Sequence, residues 1–200
     1  MALDSKEVVW QQSIVSKEKR LQLNRHKSFI IWLTGLSGAG KSTIATNLEF
    51  QLHQSGIRTY LLDGDNIRHG LCKDLGFRPE DRQENIRRVS EIAKLFVDAG
   101  QVVVTALISP YITDREMARN LVNEDEFVEV YVKCPLYECE RRDPKGLYQK
   151  ARSGMIPNFT GISAPYEEPL AAEVVVESDK QTVEESVKQI LGYLREANLL

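Results

Sequence analysis

Cysteine is scarce in this chain. The three present, Cys72, Cys134 and Cys139, are odd in number and lack metal-ligand spacing, which excludes a disulfide framework and a cysteine-bound metal and leaves reduced, packed thiols as the expectation. Long apolar runs are missing as well: nothing approaches the ~20 residues of a membrane span, and residues 1–28 are polar and charged, without the apolar core of a secretory signal. No membrane partner is expected, and a cytoplasmic location is the default. Nor does either sign of charge dominate. A net charge of −3 creates no field that would gather nucleic acid, so nucleic acid is not an expected partner and an anionic substrate must be held by a local basic cluster. There is no internal repeat and no low-complexity tract, and 200 residues at 42% hydrophobic and 28% charged suit one domain with its own core.

What is present is a phosphate-binding loop. Gly35-Leu36-Ser37-Gly38-Ala39-Gly40-Lys41-Ser42 fits G-x-x-x-x-G-K-[ST], in which glycines let backbone N–H groups curl around phosphates, the lysine neutralises the outer phosphates and the hydroxyl can ligate Mg²⁺. Its context supports the match. Residues 29–34 (FIIWLT) form a short apolar run before it, and residues 42–52 read as a helix after it; strand, loop and helix N-terminus in that order make an anion site.

Three further apolar runs, residues 58–62, 102–108 and 127–132, and a weaker one at 173–177, alternate with helical patterning. Ile86, Val89, Ile92, Ala93, Phe96 and Val97 recur at helical spacing within 83–99, Gly100 stops that helix, and residues 182–197 read as a closing helix. The alternation predicts an α/β fold of the P-loop NTPase kind, a parallel sheet flanked by helices. Residues 1–28 are expected to form a polar, helical extension and residues 29–200 the kinase-sized domain. Residues 143–166, with three prolines, three glycines and basic Lys145, Lys150 and Arg152, read as a mobile lid. Ligands on such sheets bind beyond the carboxyl ends of the strands, which selects Asp63, Asp65 and Arg68 after the second run and Ser109 after the third.

A phosphate loop serves switches, motors and kinases alike. The base-reading Asn-Lys-x-Asp segment of GTPases is absent, and the chain has the size of a compact kinase, which needs an acceptor pocket and a cover that excludes water. Six further segments carry a closer resemblance: Asp63-Gly64-Asp65-Asn66-Ile67-Arg68-His69-Gly70-Leu71, Asp74-Leu75-Gly76-Phe77, Asp81-Arg82-Gln83-Glu84-Asn85-Ile86-Arg87-Arg88, Ile108-Ser109-Pro110, Arg142-Asp143-Pro144-Lys145-Gly146-Leu147-Tyr148 and Asn158-Phe159-Thr160-Gly161-Ile162. In order and spacing the chain resembles the adenylylsulfate kinase family over roughly residues 29–193. That resemblance implies transfer of the γ-phosphate of ATP to the 3′-hydroxyl of adenosine 5′-phosphosulfate (APS), giving 3′-phosphoadenosine 5′-phosphosulfate (PAPS) and ADP, with ATP as co-substrate, Mg²⁺ as cofactor and a homodimer as the expected assembly.

The resemblance also assigns roles. Lys41, Asp63 and Ser109 are the catalytic candidates; Gly35 to Ser42, Thr43 and Arg141 would hold ATP, with Arg141 against its adenine; Ser42 and Asp63 would hold Mg²⁺. Asp63, Asp65, Arg68, Phe77, Arg82, Asn85, Ile108, Ser109, Lys145 and Phe159 would bind the acceptor, the arginines by guanidinium forks and the two phenylalanines as walls around adenine. Taken alone, Asp63 and Asp65 also read as helix caps, Arg82 as a solvated helix face, Phe77 and Phe159 as packing residues and Lys145 as a solvated loop lysine. The family is often described with a phosphoserine at the Ser109 position. A serine nucleophile needs a base within reach, and none is evident, so direct in-line transfer with Ser109 lining the pocket is expected. His69 is given no role. Two departures stand out: Ile112 replaces a usual arginine, a loss that Arg115 is expected to compensate, and Ser163 replaces a usual aspartate. Another small-molecule kinase on the same scaffold and a catalytically idle nucleotide-binding partner are the rival readings.

Overall fold

The computed structural model describes residues 8–200. Five strands, β1 (Ile30–Thr34), β2 (Thr59–Asp63), β3 (Val102–Ala106), β4 (Phe127–Lys133) and β5 (Val174–Glu177), form one sheet in the order β2-β3-β1-β4-β5. Every pairing is parallel. Each strand arises from one of the five apolar runs. The third stops at Ala106 rather than 108, because the chain leaves the sheet there to wall the cavity described below.

Both faces of the sheet are covered, which is why its central strands are apolar throughout rather than alternating. In β1, Ile31 and Leu33 join Ile44, Leu48, Ile190 and Leu194 on one face, while Ile30 and Trp32 join Ile86, Val89, Ala93 and Val97 on the other. This is the period-2 geometry of a strand delivering side chains to two cores. The first layer contains α2 (Lys41–Gln54) and α8 (Val183–Glu196), which pack on each other. The second contains α4 (Pro79–Asp98) and α5 (Ile112–Arg119). The long helix α4 starts at Pro79, four residues before the expected start at residue 83, since Pro79 suits a first turn whose N–H groups are unpaired anyway, and Glu80 and Asp81 complement the positive helix end. A reciprocal Thr182–Glu185 capping box starts α8.

Shorter helices complete the chain: α1 (Lys17–Asn24), α3 (Gly64–His69), α6 (Leu136–Arg142) and α7 (Leu147–Arg152). Helix α7 lies within residues 143–166. All three cysteines are buried and free, as expected. No described helix is long and apolar enough to cross a membrane. Because the strands run parallel, the loops after β1, β2, β3 and β5 open at one edge of the sheet, and the site is built there.

Candidate active site

The strand ends enclose a cavity of about 1160 Å³, above the roughly 300–1,000 Å³ typical of a single small-ligand pocket. Ser37 to Thr43, Asp63, Asp65, Arg68, Phe77, Arg82, Asn85, Ile108, Ser109, Lys145 and Phe159 all line it. Gly35, Leu36 and Arg141 do not. A second hollow of about 700 Å³ behind Leu36 contains no other predicted residue.

One wall of the cavity is the loop between β1 and α2. At Gly35 φ is +149°, and an added Cβ would stand 2.5 Å from the Val132 carbonyl oxygen, so only glycine allows the chain to leave β1 so close to β4. Gly40, at φ +96°, starts α2 in the left-handed region and frees the helix N-terminus toward the cavity. Lys41 is buried, and its Nζ donates to the carbonyls of Gly35 (2.8 Å) and Leu36 (2.7 Å). Loss of hydration pushes its pKa down to about 8, with Lys145 adding to the fall while Asp63 and Asp65 oppose it. The Ser42 hydroxyl donates to Asp63 Oδ2 at 2.6 Å. Asp63 Oδ1 accepts the Asp65 N–H at 2.9 Å and so caps α3. Capping leaves room for a second contact: one oxygen starts the helix and the other meets the phosphate loop.

The opposite wall of the cavity carries Arg68, Phe77, Arg82, Asn85, Lys145 and Phe159. Arg82 donates from Nε to the Phe77 carbonyl (2.9 Å), from Nη1 to Thr160 Oγ1 (2.7 Å) and from Nη2 to the Asn158 carbonyl (2.7 Å). It is thus no solvated helix face but ties the start of α4 to residues 158–160. Arg68 donates to the Gly76 carbonyl (2.9 Å) and its guanidinium lies 4.5 Å from the centre of the Phe77 ring. Burial lowers the pKa of both arginines. Phe77 is exposed at 62%, whereas Phe159 is buried edge-on against Tyr148 at 5.0 Å, so Phe159 is both a packing residue and a cavity wall. Asn85 is buried with its Oδ1 unpartnered. Lys145 pairs with Asp65 across the cavity mouth. Ser109, 2% exposed, has φ +38°; its Oγ accepts the Trp32 indole N–H at 3.0 Å, and no hydrogen bond joins it to a histidine, lysine or carboxylate among the described residues.

A phosphate loop bonded to the tip of β2, facing two half-buried arginines across one cavity, is the arrangement of a phosphotransferase, and a family model described as adenylylsulphate kinase matches residues 27–177. The chain belongs to the adenylylsulfate kinase family. An adenylyl-sulfate kinase of Staphylococcus epidermidis is 58% identical over 96% of this chain and 97% of its own length. The Mycobacterium tuberculosis APS kinase, solved in complex with AMPPNP and APS, is 44% identical with a TM-score of 0.81, covering 85% of this chain and 99% of that one. A gluconokinase from Sinorhizobium meliloti is 17% identical with a TM-score of 0.51 over 86% of this chain and 94% of that one, and shares the fold alone.

Against the pattern of adenylylsulfate kinases, the two sequence departures have physical outcomes. Ser163 Oγ accepts the Phe159 N–H at 2.9 Å, so a hydroxyl closes the turn where a carboxylate is usual. Arg115 does not compensate for Ile112: it is 3% exposed, and its guanidinium is occupied by Ser109, Glu129 and Glu167. Arg141 is turned outward and paired with Glu138 at 2.7 Å, while its neighbour Arg142 lines the cavity. The cavity also takes Ser178, Gln181 and Thr182 from the loop after β5. Sequence reading missed these four, although the rule that ligands sit after strand ends points to Ser178, the first residue beyond β5.

Proposed function

We propose that this cavity transfers the γ-phosphate of ATP to the 3′-hydroxyl of APS by direct in-line attack, ATP lying on the phosphate loop and APS against Arg68, Arg82 and Asn85. The bond from the acceptor oxygen to the γ-phosphorus forms as the bond to the β–γ bridging oxygen breaks; ADP departs, and the hydroxyl proton passes to Asp63. The observation that carries the reading is the Ser42–Asp63 hydrogen bond of 2.6 Å, which joins the donor loop to the strand tip from which the acceptor side begins.

Such a reaction is catalysed by positioning and charge stabilisation. Lys41 meets the charge that accumulates on the transferring group. Ser42 and Asp63 supply one hydroxyl and one carboxylate oxygen, a set that fits Mg²⁺, which takes few protein oxygens beside phosphates and water. No group of three or more His, Cys, Asp or Glu able to hold a metal occurs among the described residues, in keeping with a cation shared with the nucleotide. When bound, Mg²⁺ neutralises charge on the β- and γ-phosphates. Arg68 and Arg82 hold the phosphosulfate, Phe77 and Phe159 flank the adenine, and Lys145 with the rest of residues 143–166 closes over both nucleotides and excludes water. Arg142, beside the phosphate loop, takes the place first given to Arg141. The donated indole N–H and the lack of a base at Ser109 support a pocket-lining serine rather than a phosphoserine intermediate. Val8, Val9, Trp10 and Ile14, all exposed, supply apolar surface for a homodimer.

Purified protein incubated with ATP, Mg²⁺ and APS should yield PAPS and ADP, with AMP, nucleosides and sugar acids inactive as acceptors. Preference for one of those acceptors over APS would overturn the assignment. Ser109→Ala should retain turnover; its complete loss would restore the covalent route.

A further inference from the structure

We infer that Arg115 is a positioning residue for the acceptor pocket, locking the Ser109 turn and the C-terminal root of the lid into one unit. The inference rests on the reading of that side of the cavity as the APS side. Arg115 sits in α5, is 3% exposed and does not line the cavity, so it acts only through what it holds. Nη1 donates to the Ser109 carbonyl at 2.7 Å and Nη2 to the Glu167 carbonyl at 2.8 Å. Nε stands 2.7 Å from Glu129 Oε1, close but off the donor axis, a charge contact rather than an aligned hydrogen bond. Glu129 lies within β4 and is itself buried; its other oxygen faces Arg119 at 3.6 Å, and its N–H is held by Glu173.

A buried ion pair is expensive in lost hydration, and an aliphatic side chain of similar volume would fill the same space more cheaply. What only the guanidinium provides is direction, because its planar fork binds three segments at once. Ser109 is where direction matters. At φ +38° it occupies a region disfavoured for any residue with a Cβ, and it is held from both ends, the hydroxyl by Trp32 and the carbonyl by Arg115. The same wall is stitched to the lid root: the Glu167 N–H donates to the Pro110 carbonyl at 2.8 Å, and the Ile112 N–H donates to the Glu167 carboxylate at 2.8 Å. Arg115 closes this ring, so the pocket wall at residues 108–110 and the chain at 166–167 move together or not at all.

The test is steady-state kinetics with each substrate varied, on R115K, E129Q, S109G and the double variant R115K/S109G. One ammonium cannot reach three acceptors, so R115K should raise the KM for APS about tenfold while the KM for ATP stays within about twofold. E129Q keeps the buried volume but removes the charge facing the guanidinium, and should give the same split at about threefold. Glycine adopts positive φ without strain, so adding R115K to S109G should raise the APS KM by only about threefold. Equal rises in both KM values, an unchanged APS KM in both R115K and E129Q, or the full tenfold effect persisting in S109G would each overturn the inference. Wild-type enzyme that forms no PAPS would sink the substrate assignment and this inference with it; active wild type with an unselective R115K would sink this inference alone.

Discussion

Lys41 and Gly35 show how differently single residues of the phosphate loop bear on function and on folding. In the proposed mechanism Lys41 stabilises the transferring group, so Lys41→Ala should lower kcat by about 10²–10³-fold. The circular-dichroism spectrum should be unchanged, because the lost bonds to two loop carbonyls are offset by removal of a buried ammonium. Near-normal turnover would contradict the mechanism. Gly35→Ala is expected to fail in the opposite way: its Cβ would meet the Val132 backbone oxygen at 2.5 Å, a clash with main chain that no rotamer relieves. Urea titration should show a loss of about 2–4 kcal/mol. Gly40→Ala has nothing within 4 Å of its Cβ and should cost about 1 kcal/mol, from φ alone. Equal losses in the two variants would refute the steric argument.

Among the elements, α4 carries a local electrostatic device. Arg88 holds Asp74 at 2.6 Å and Glu84 at 2.8 Å, and donates to the Leu71 carbonyl, pinning the turn after α3 to the helix. Hydrogen bonds from Arg87 and Arg88 bring the pKa of Glu84 down to about 2, below its ordinary 4.5. A carboxylate with a depressed folded-state pKa contributes stability above its unfolded value and loses it as pH falls through the folded one. The destabilisation by Glu84→Gln should therefore be largest near neutral pH and shrink between about pH 4.5 and 2; being solvent-exposed, the group contributes modestly. A difference that grows on acidification would reverse the sign. The same scale shows what sequence makes legible. The central strands β1, β3 and β4 were readable because both-face burial demands continuous apolar runs, and α4 because twenty residues give its period many turns to repeat. Helices α3 and α7, of six residues each, offer too few positions for any period. The choice between Arg141 and Arg142 was hidden for a related reason: Glu138 reaches both, at i+3 and i+4, and only the packing of α6 decides which faces the cavity.

For the whole molecule, binding to the folded form alone must raise its stability. Mg²⁺–ADP at a hundredfold excess over Kd should stabilise by about 2.7 kcal/mol, a rise in melting temperature of roughly 5–10 °C for a domain of this size. Absence of a shift in differential scanning fluorimetry would argue against a nucleotide site. The phosphate-binding loop was readable because its residues are adjacent in sequence; the Arg115 contacts were not, because they join α5 to Glu129 in β4 and to Glu167, and only the sheet order brings these together. That order has a consequence for synthesis. Since β1 pairs with β3 and β4, a growing polypeptide holds its first strand without neighbours until residue 106 has emerged, and without its second neighbour until residue 133. At ribosomal speeds the first of these intervals is roughly 4–14 s, during which residues 30–34 have no strand to pair with. Synonymous codons that slow elongation between residues 34 and 106 are therefore expected to lower soluble yield.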